Sequence, residues 1–152
     1  MRTACEDPNI DIIPIAFIDL FLAQADGYVK ADFGSTWGND TYAGPGYPHG
    51  SSPNPSNDFL KHFPRLADDM YYCQTQTETK LLLSLGGSNI SDYSLASNQE
   101  GIDLANFIWG AFGPYTAAWA GKPRPLDANS TARIDIDGFD FDIEGLTTKY
   151  GM

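Results

Sequence analysis

The sequence predicts an α/β fold built around a parallel sheet. Short apolar runs at residues 10–22 and 80–85 read as buried strands, and RIDIDGFDFDIE over 133–144 reads as another strand. Segments of helical period lie between them. The resulting order is strand, helix, strand, helix, strand. Strands separated by helices form parallel βαβ units with right-handed crossovers. Chemistry in such sheets collects at the carboxyl ends of the strands.

The 152 residues suit one ordinary domain, and 42% hydrophobic with 13% aromatic residues is a globular composition. A formal net charge of −11 repels nucleic acid and anionic membranes, so neither is expected as a partner. No apolar run approaches the roughly 18 residues of a membrane span, so none is expected. The opening MRTACEDPN lacks the basic-then-apolar profile of a signal peptide. The sequons at Asn39, Asn89 and Asn129 point instead to an extracellular, secreted and glycosylated protein. Two cysteines, Cys5 and Cys73, allow one disulfide.

In chain order, IDIIPIAFIDLFL over 10–22 reads as the first buried strand, although Pro14 removes a ladder donor from its middle. Residues 23–57 are rich in Gly, Pro, Ser and Asn and read as a long loop. Its aromatics Tyr28, Phe33, Trp37, Tyr42 and Tyr47 serve either as packing or as a ligand platform. A helix is expected over Asp58–Gln74, interrupted or restarted at Pro64, with Leu66, Met70 and Cys73 on its core face. KLLLSL, Lys80 to Leu85, is a strand stopped by Gly86 and Gly87. A second helix follows, with Ser97 and Glu100 as a capping box and Gly113-Pro114 as its stop. Ile102, Ala105, Trp109 and Phe112 are expected on one face of it. No internal repeat is evident.

The last strand holds DGFDFDIE, in which acids alternate with large apolar residues. Alternate side chains share a face, so Asp140, Asp142 and Glu144 point one way, about 7 Å apart in succession. Phe139, Phe141 and Ile143 point the other way, towards a helix layer. Asp137 has the opposite parity to the other acids and serves the turn into the strand. Like charge and desolvation on one strand face both favour retention of a proton, which suits a general acid. Two other readings use the same residues. An antiparallel strand could hold its acids in water, which the parallel context disfavours. A calcium or magnesium site would need further acids to complete its cage, and none follow.

LLLSLGG followed by DGFDFDIE resembles glycoside hydrolase family 18, and within it the class III, hevamine-like chitinases of fungi and plants. The family's D-x-x-D-x-D-x-E signature is matched by Asp137, Asp140, Asp142 and Glu144. Its S-x-G-G signature is matched by Ser84, Gly86 and Gly87. IAFIDLF, with Phe17, resembles the family's second barrel strand, and FIWGAFG and KPRPLD its segment before the acidic strand. The resemblance implies a (β/α)8 TIM barrel that cleaves β-1,4 bonds between N-acetylglucosamine units. The reaction would be substrate-assisted, without an enzyme nucleophile. It implies Glu144 as the acid that protonates the glycosidic oxygen and Asp142 as the group that orients the acetamido N–H. Asp140 would lie behind, sharing a proton with Asp142. Asp137, Ser84, Gly86, Gly87 and Phe17 would line the substrate site. Cys5 and Cys73 would form a family disulfide, whose loop closure stabilises by roughly 4 kcal/mol in the chain-entropy model.

Chitin or chitooligosaccharides are the implied partners, with no metal and no organic cofactor, and the complete protein is expected to be a monomer. A complete barrel needs about 250 residues. The chain is therefore expected to cover strands two to four of one catalytic domain, without the first strand or strands five to eight, and to be inactive alone. Asp19 and Asp32 stand where the family carries Asn. An endo-β-N-acetylglucosaminidase acting on N-glycans shares the acidic motif. A non-catalytic sugar-binding protein on the same scaffold is the other alternative, against which the retained Glu144 argues.

Overall fold

The computed structural model describes residues 1–21, 29–34, 41–42, 59–60, 63–88, 93–122 and 124–144. The elements are α1 (Arg2–Cys5), β1 (Ile12–Leu20), β2 (Lys30–Ala31), β3 (Thr41–Tyr42) and β4 (Phe59–Leu60). They continue with α2 (Pro64–Gln76), β5 (Lys80–Gly87), α3 (Asn98–Phe112), a 3-10 turn at Ala117–Trp119 and β6 (Gly138–Ile143). The main sheet runs β2-β1-β5-β6, with β1, β5 and β6 parallel and β2 antiparallel to β1. β1, α2, β5, α3 and β6 follow the strand, helix, strand, helix, strand order expected from the sequence, whereas β2 and β3 fall within residues 23–57, which read as a loop.

Pro14 does not break β1, and the ladder explains why. Lys80 N–H donates to the Asp11 carbonyl at 2.8 Å, and Ile13 pairs with Leu81. That alternation directs the amides of Asp11, Ile13 and Ile15 at β5 and those of Ile12 and Pro14 to the other side. The antiparallel partner joins that side only from Phe17 onwards, so among the described residues the missing proline N–H takes no ladder bond away.

Two helix expectations are corrected. The helix before β5 begins at Pro64, not at Asp58, because Phe59–Leu60 instead pairs with Thr41–Tyr42 as a two-residue antiparallel ladder. Proline fits the first helical position, where its absent N–H would be unpaired anyway. On α3, Leu104, Phe107, Ile108 and Ala111 are buried, whereas Ile102 is 53% and Trp109 49% exposed. The helix carries two apolar stripes, and the sheet covers the one containing Leu104 and Ile108. Only Phe112 of the expected face is buried. Its capping box forms with a shift. Ser97 Oγ accepts from Glu100 N–H at 3.1 Å, while Glu100 Oε2 reaches Ala96 N–H rather than that of Ser97.

The core lies between the sheet and the helices. Ile15, Ile18, Leu81, Leu83 and Leu85 gather with Met70, Cys73, Leu104, Phe107 and Phe112. Each such burial contributes about 1.5–3 kcal/mol. Phe33 belongs to this packing, 4.9 Å from Phe63 and 6.2 Å from Phe112, so that aromatic serves the core and not a ligand platform. Tyr28, Trp37, Tyr47, Asn39 and Asn89 lie outside the described residues. Cys5 and Cys73 form a disulfide with Cα atoms 5.7 Å apart, tying α1 to α2. Among the described residues, no helix is long and apolar enough to cross a membrane.

Candidate active site

The face of the sheet away from the helices carries the acids of β6, and the contacts of β5 explain its S-x-G-G pattern. Ser84 stands opposite Asp140, and Gly86 opposite Asp142. The buried Ser84 hydroxyl donates to Asp140 Oδ2 at 2.6 Å, the short distance of a charge-assisted bond. Gly86 has φ +113°, and a Cβ there would collide with the Asp142 carbonyl oxygen. Only glycine accepts both conditions. Gly87, at φ +103°, offers its bare Cα side to the Phe17 ring, about 3.6 Å from where a Cβ would stand. The serine thus holds one carboxylate, and Gly86 lets β6 close on the end of β5. The positive φ of Gly87 calls for glycine, although a Cβ would find room beside Phe17.

On β6, Asp140 and Asp142 are half-buried, and Glu144 is exposed one residue beyond the strand. Desolvation of these groups is therefore partial. Buried backing and an accessible outermost carboxyl suit a group that must meet a substrate. Of the three residues expected against a helix layer, Phe139 and Ile143 pack on the core and Phe139 lies 6.2 Å from Trp109. Phe141 is instead 63% exposed, because β6 is the edge strand of the described sheet.

The structure does not bring Asp137 to this cluster. It sits at the opposite, amino end of β6, where Oδ2 accepts from Leu81 N–H at 2.9 Å and Oδ1 pairs with Lys80 Nζ at 3.2 Å. Its part is to align the starts of the two strands, in keeping with a role in the turn. Phe17 does reach the site, on β1, where its amide and carbonyl exchange bonds of 2.8 and 2.9 Å with Asp32. Beside it, Asp19 pairs with Lys30 Nζ at 3.4 Å. Burial pushes its carboxyl above the ordinary range despite Lys30. Asp19 Oδ1 has no hydrogen-bond partner among the described residues.

Two residues escaped sequence reasoning. Tyr93 is buried, and its hydroxyl joins the Gly87 carbonyl to the Glu144 N–H. No periodicity marks a tyrosine in a connecting segment. Arg124 pairs with Asp127 through two bonds of 2.9 and 3.1 Å and with Asp135 at 3.2 Å. It also donates to the carbonyls of Gly110, Gly113 and Ile134, fastening the end of α3 to the approach to β6. Its segment, KPRPLD, stood out in the sequence only by resemblance, and nothing there assigned Arg124 this part. Among the described residues no group of His, Cys, Asp and Glu is arranged to hold a metal ion.

No family model matches the chain. Among curated proteins it is similar to Endochitinase A of Aspergillus niger, at 36% identity over 92% of this chain and 10% of that protein. Endochitinase A of Emericella nidulans is 38% identical over 95% of this chain and 14% of its own length. Endochitinase 2 of Coccidioides posadasii is 34% identical over 92% of this chain and 15% of its own length. The chain thus spans a small part of the curated relatives it matches. Among solved structures, a chitinase from Ipomoea carnea superposes with a TM-score of 0.64 and 22% identity, covering 98% of this chain and 43% of that one.

Proposed function

We propose that this chain, homologous to fungal endochitinases along nearly its whole length, is the part of a chitinase barrel that carries the acid catalyst. The observation that carries the reading is the Ser84–Asp140 bond in a parallel register that sets Asp142 opposite Gly86 and leaves Glu144 exposed beyond the strand. In this reading β1, β5 and β6 are the second, third and fourth strands of a (β/α)8 barrel. Ile12, Pro14 and Leu82 lie on the barrel's inner face together with Ser84 and Asp140.

Chitin, or a chitooligosaccharide, lies across the carboxyl ends of β5 and β6. Glu144 donates its proton to the glycosidic oxygen as the bond to the anomeric carbon breaks. The acetamido oxygen of the same sugar attacks that carbon, and Asp142 accepts a hydrogen bond from the acetamido N–H, steadying the positive charge that develops. Ser84 keeps Asp140 directed at its neighbour. Water then opens the cyclic intermediate, with Glu144 taking the proton back, so configuration is retained. The disulfide and the sequons fit a secreted protein.

Product stereochemistry tests this scheme. Chitotetraose treated with the longest natural chain that contains this segment, followed by proton NMR within seconds of cleavage, should give β-anomeric reducing ends. Initial α-anomers would mean direct attack by water and would remove Asp142 from its role. Cleavage of a high-mannose glycopeptide in place of chitotetraose would transfer the site to N-glycans.

A further inference from the structure

Glu144 lies just past the last ladder pair, Gly87 with Ile143, so the sheet no longer fixes its main chain. Its side chain is exposed, and packing does not fix it either. What holds this residue is a phenol from another segment. The Tyr93 hydroxyl donates to the Gly87 carbonyl at 2.9 Å and accepts the Glu144 N–H at 2.9 Å. One hydroxyl has one proton to give and lone pairs to receive, so both capacities are used between the two strand ends. The tyrosine is itself held, 7% exposed and with its ring 5.8 Å from that of Phe21.

We infer that Tyr93 is a positioning residue for the acid. It fixes the backbone of Glu144 relative to Gly87, and thereby the height of the carboxyl above the end of β5. This inference rests on the reading of Glu144 as general acid. Displacing a catalytic group by about 1 Å can cost on the order of 100-fold in rate, so the loss of one hydroxyl should register in kcat. Substrate affinity, set by other contacts, should remain.

Tyr93→Phe keeps the ring and removes the hydroxyl. Two readouts are made on the longest natural chain that contains this segment, with Glu144→Gln as the inactive reference. Amide exchange at Glu144 should accelerate at least tenfold while Leu83 and Leu85 keep their protection. With chitotetraose, kcat should fall about tenfold or more with KM unchanged. Phe21→Leu, which loosens the same aromatic pair but leaves the hydroxyl, should retain most of kcat. Unchanged exchange at Glu144, or parental kcat in Tyr93→Phe where Glu144→Gln is inactive, would overturn the inference. So would an equal loss in Phe21→Leu, since packing alone would then explain the effect. If Glu144→Gln itself keeps parental turnover, the acid assignment fails, while the exchange result still decides whether Tyr93 anchors that backbone.

Discussion

Ser84, Gly86 and Asp140 form a set in which each residue type follows from a contact, but Asp19 has no comparable accommodation. Its carboxyl is partly buried, its bond to Lys30 is long at 3.4 Å, and Asp32 adds like charge nearby. Burial, the largest influence, raises its pKa above the ordinary 3.8. The folded state then binds a proton more tightly than the unfolded state. That contribution to stability is complete below the ordinary carboxylate range and is lost as pH rises through the raised value. Asp19→Asn removes the loss. The thermal midpoint of the variant should therefore exceed that of the parent by a margin that grows from pH 4 to pH 7. A margin that is constant or shrinks with pH would contradict this account. The alternation of DGFDFDIE made the facing of Asp140 and Asp142 legible. Asp137 was legible as a residue of the turn into the strand, but its partners were not. Its partner Lys80 is adjacent only once β5 and β6 pair.

At the scale of elements, the connection from α3 to β6 depends on Arg124. Its guanidinium is only 6% exposed and serves two carboxylates and the carbonyls at the end of α3. A helix end needs such donors, since its last carbonyls have no partners within the helix. The partner carboxylates keep access to solvent, Asp135 at 43%. Removing Arg124 therefore costs its charged hydrogen bonds and not the stranding of a buried charge, about 1.5–3 kcal/mol. Arg124→Met should lower the unfolding free energy by that amount in urea titration, and a loss below about 1 kcal/mol would show that the bonds are replaceable. The existence of β1, β5 and β6 was legible but not all their bounds. β5 continues through Gly86 and Gly87 instead of stopping at Leu85, and of residues 133–144 only Gly138–Ile143 forms the strand. The extent of α2 and the buried face of α3 were not legible. Phe59–Leu60 has a local pattern that fits helix or strand, and only pairing with Thr41–Tyr42 decides it. Two apolar stripes on α3 offer two equally plausible faces, and the sheet selects one.

The whole described sheet has one face covered by helices and one that bears Ile12, Pro14 and the acidic cluster. Its edge at β6 exposes Phe141, while Phe139 on the other face lies beside Trp109. An open parallel sheet with apolar residues on both faces suits closure into a barrel. The Cys5–Cys73 link between α1 and α2 stabilises this part of the molecule by roughly 4 kcal/mol in the chain-entropy model. In the proposed function this scaffold presents one acid, Glu144, at the end of β6. The most direct measurement is the turnover of chitotetraose by Glu144→Gln beside the parent, in the longest natural chain that contains this segment and with folding checked by circular dichroism. Loss of about 100-fold or more in kcat with an unchanged spectrum is the predicted result. Turnover at the parental rate would mean that the proton comes from elsewhere and that the carboxyl end of β6 is not the catalytic centre.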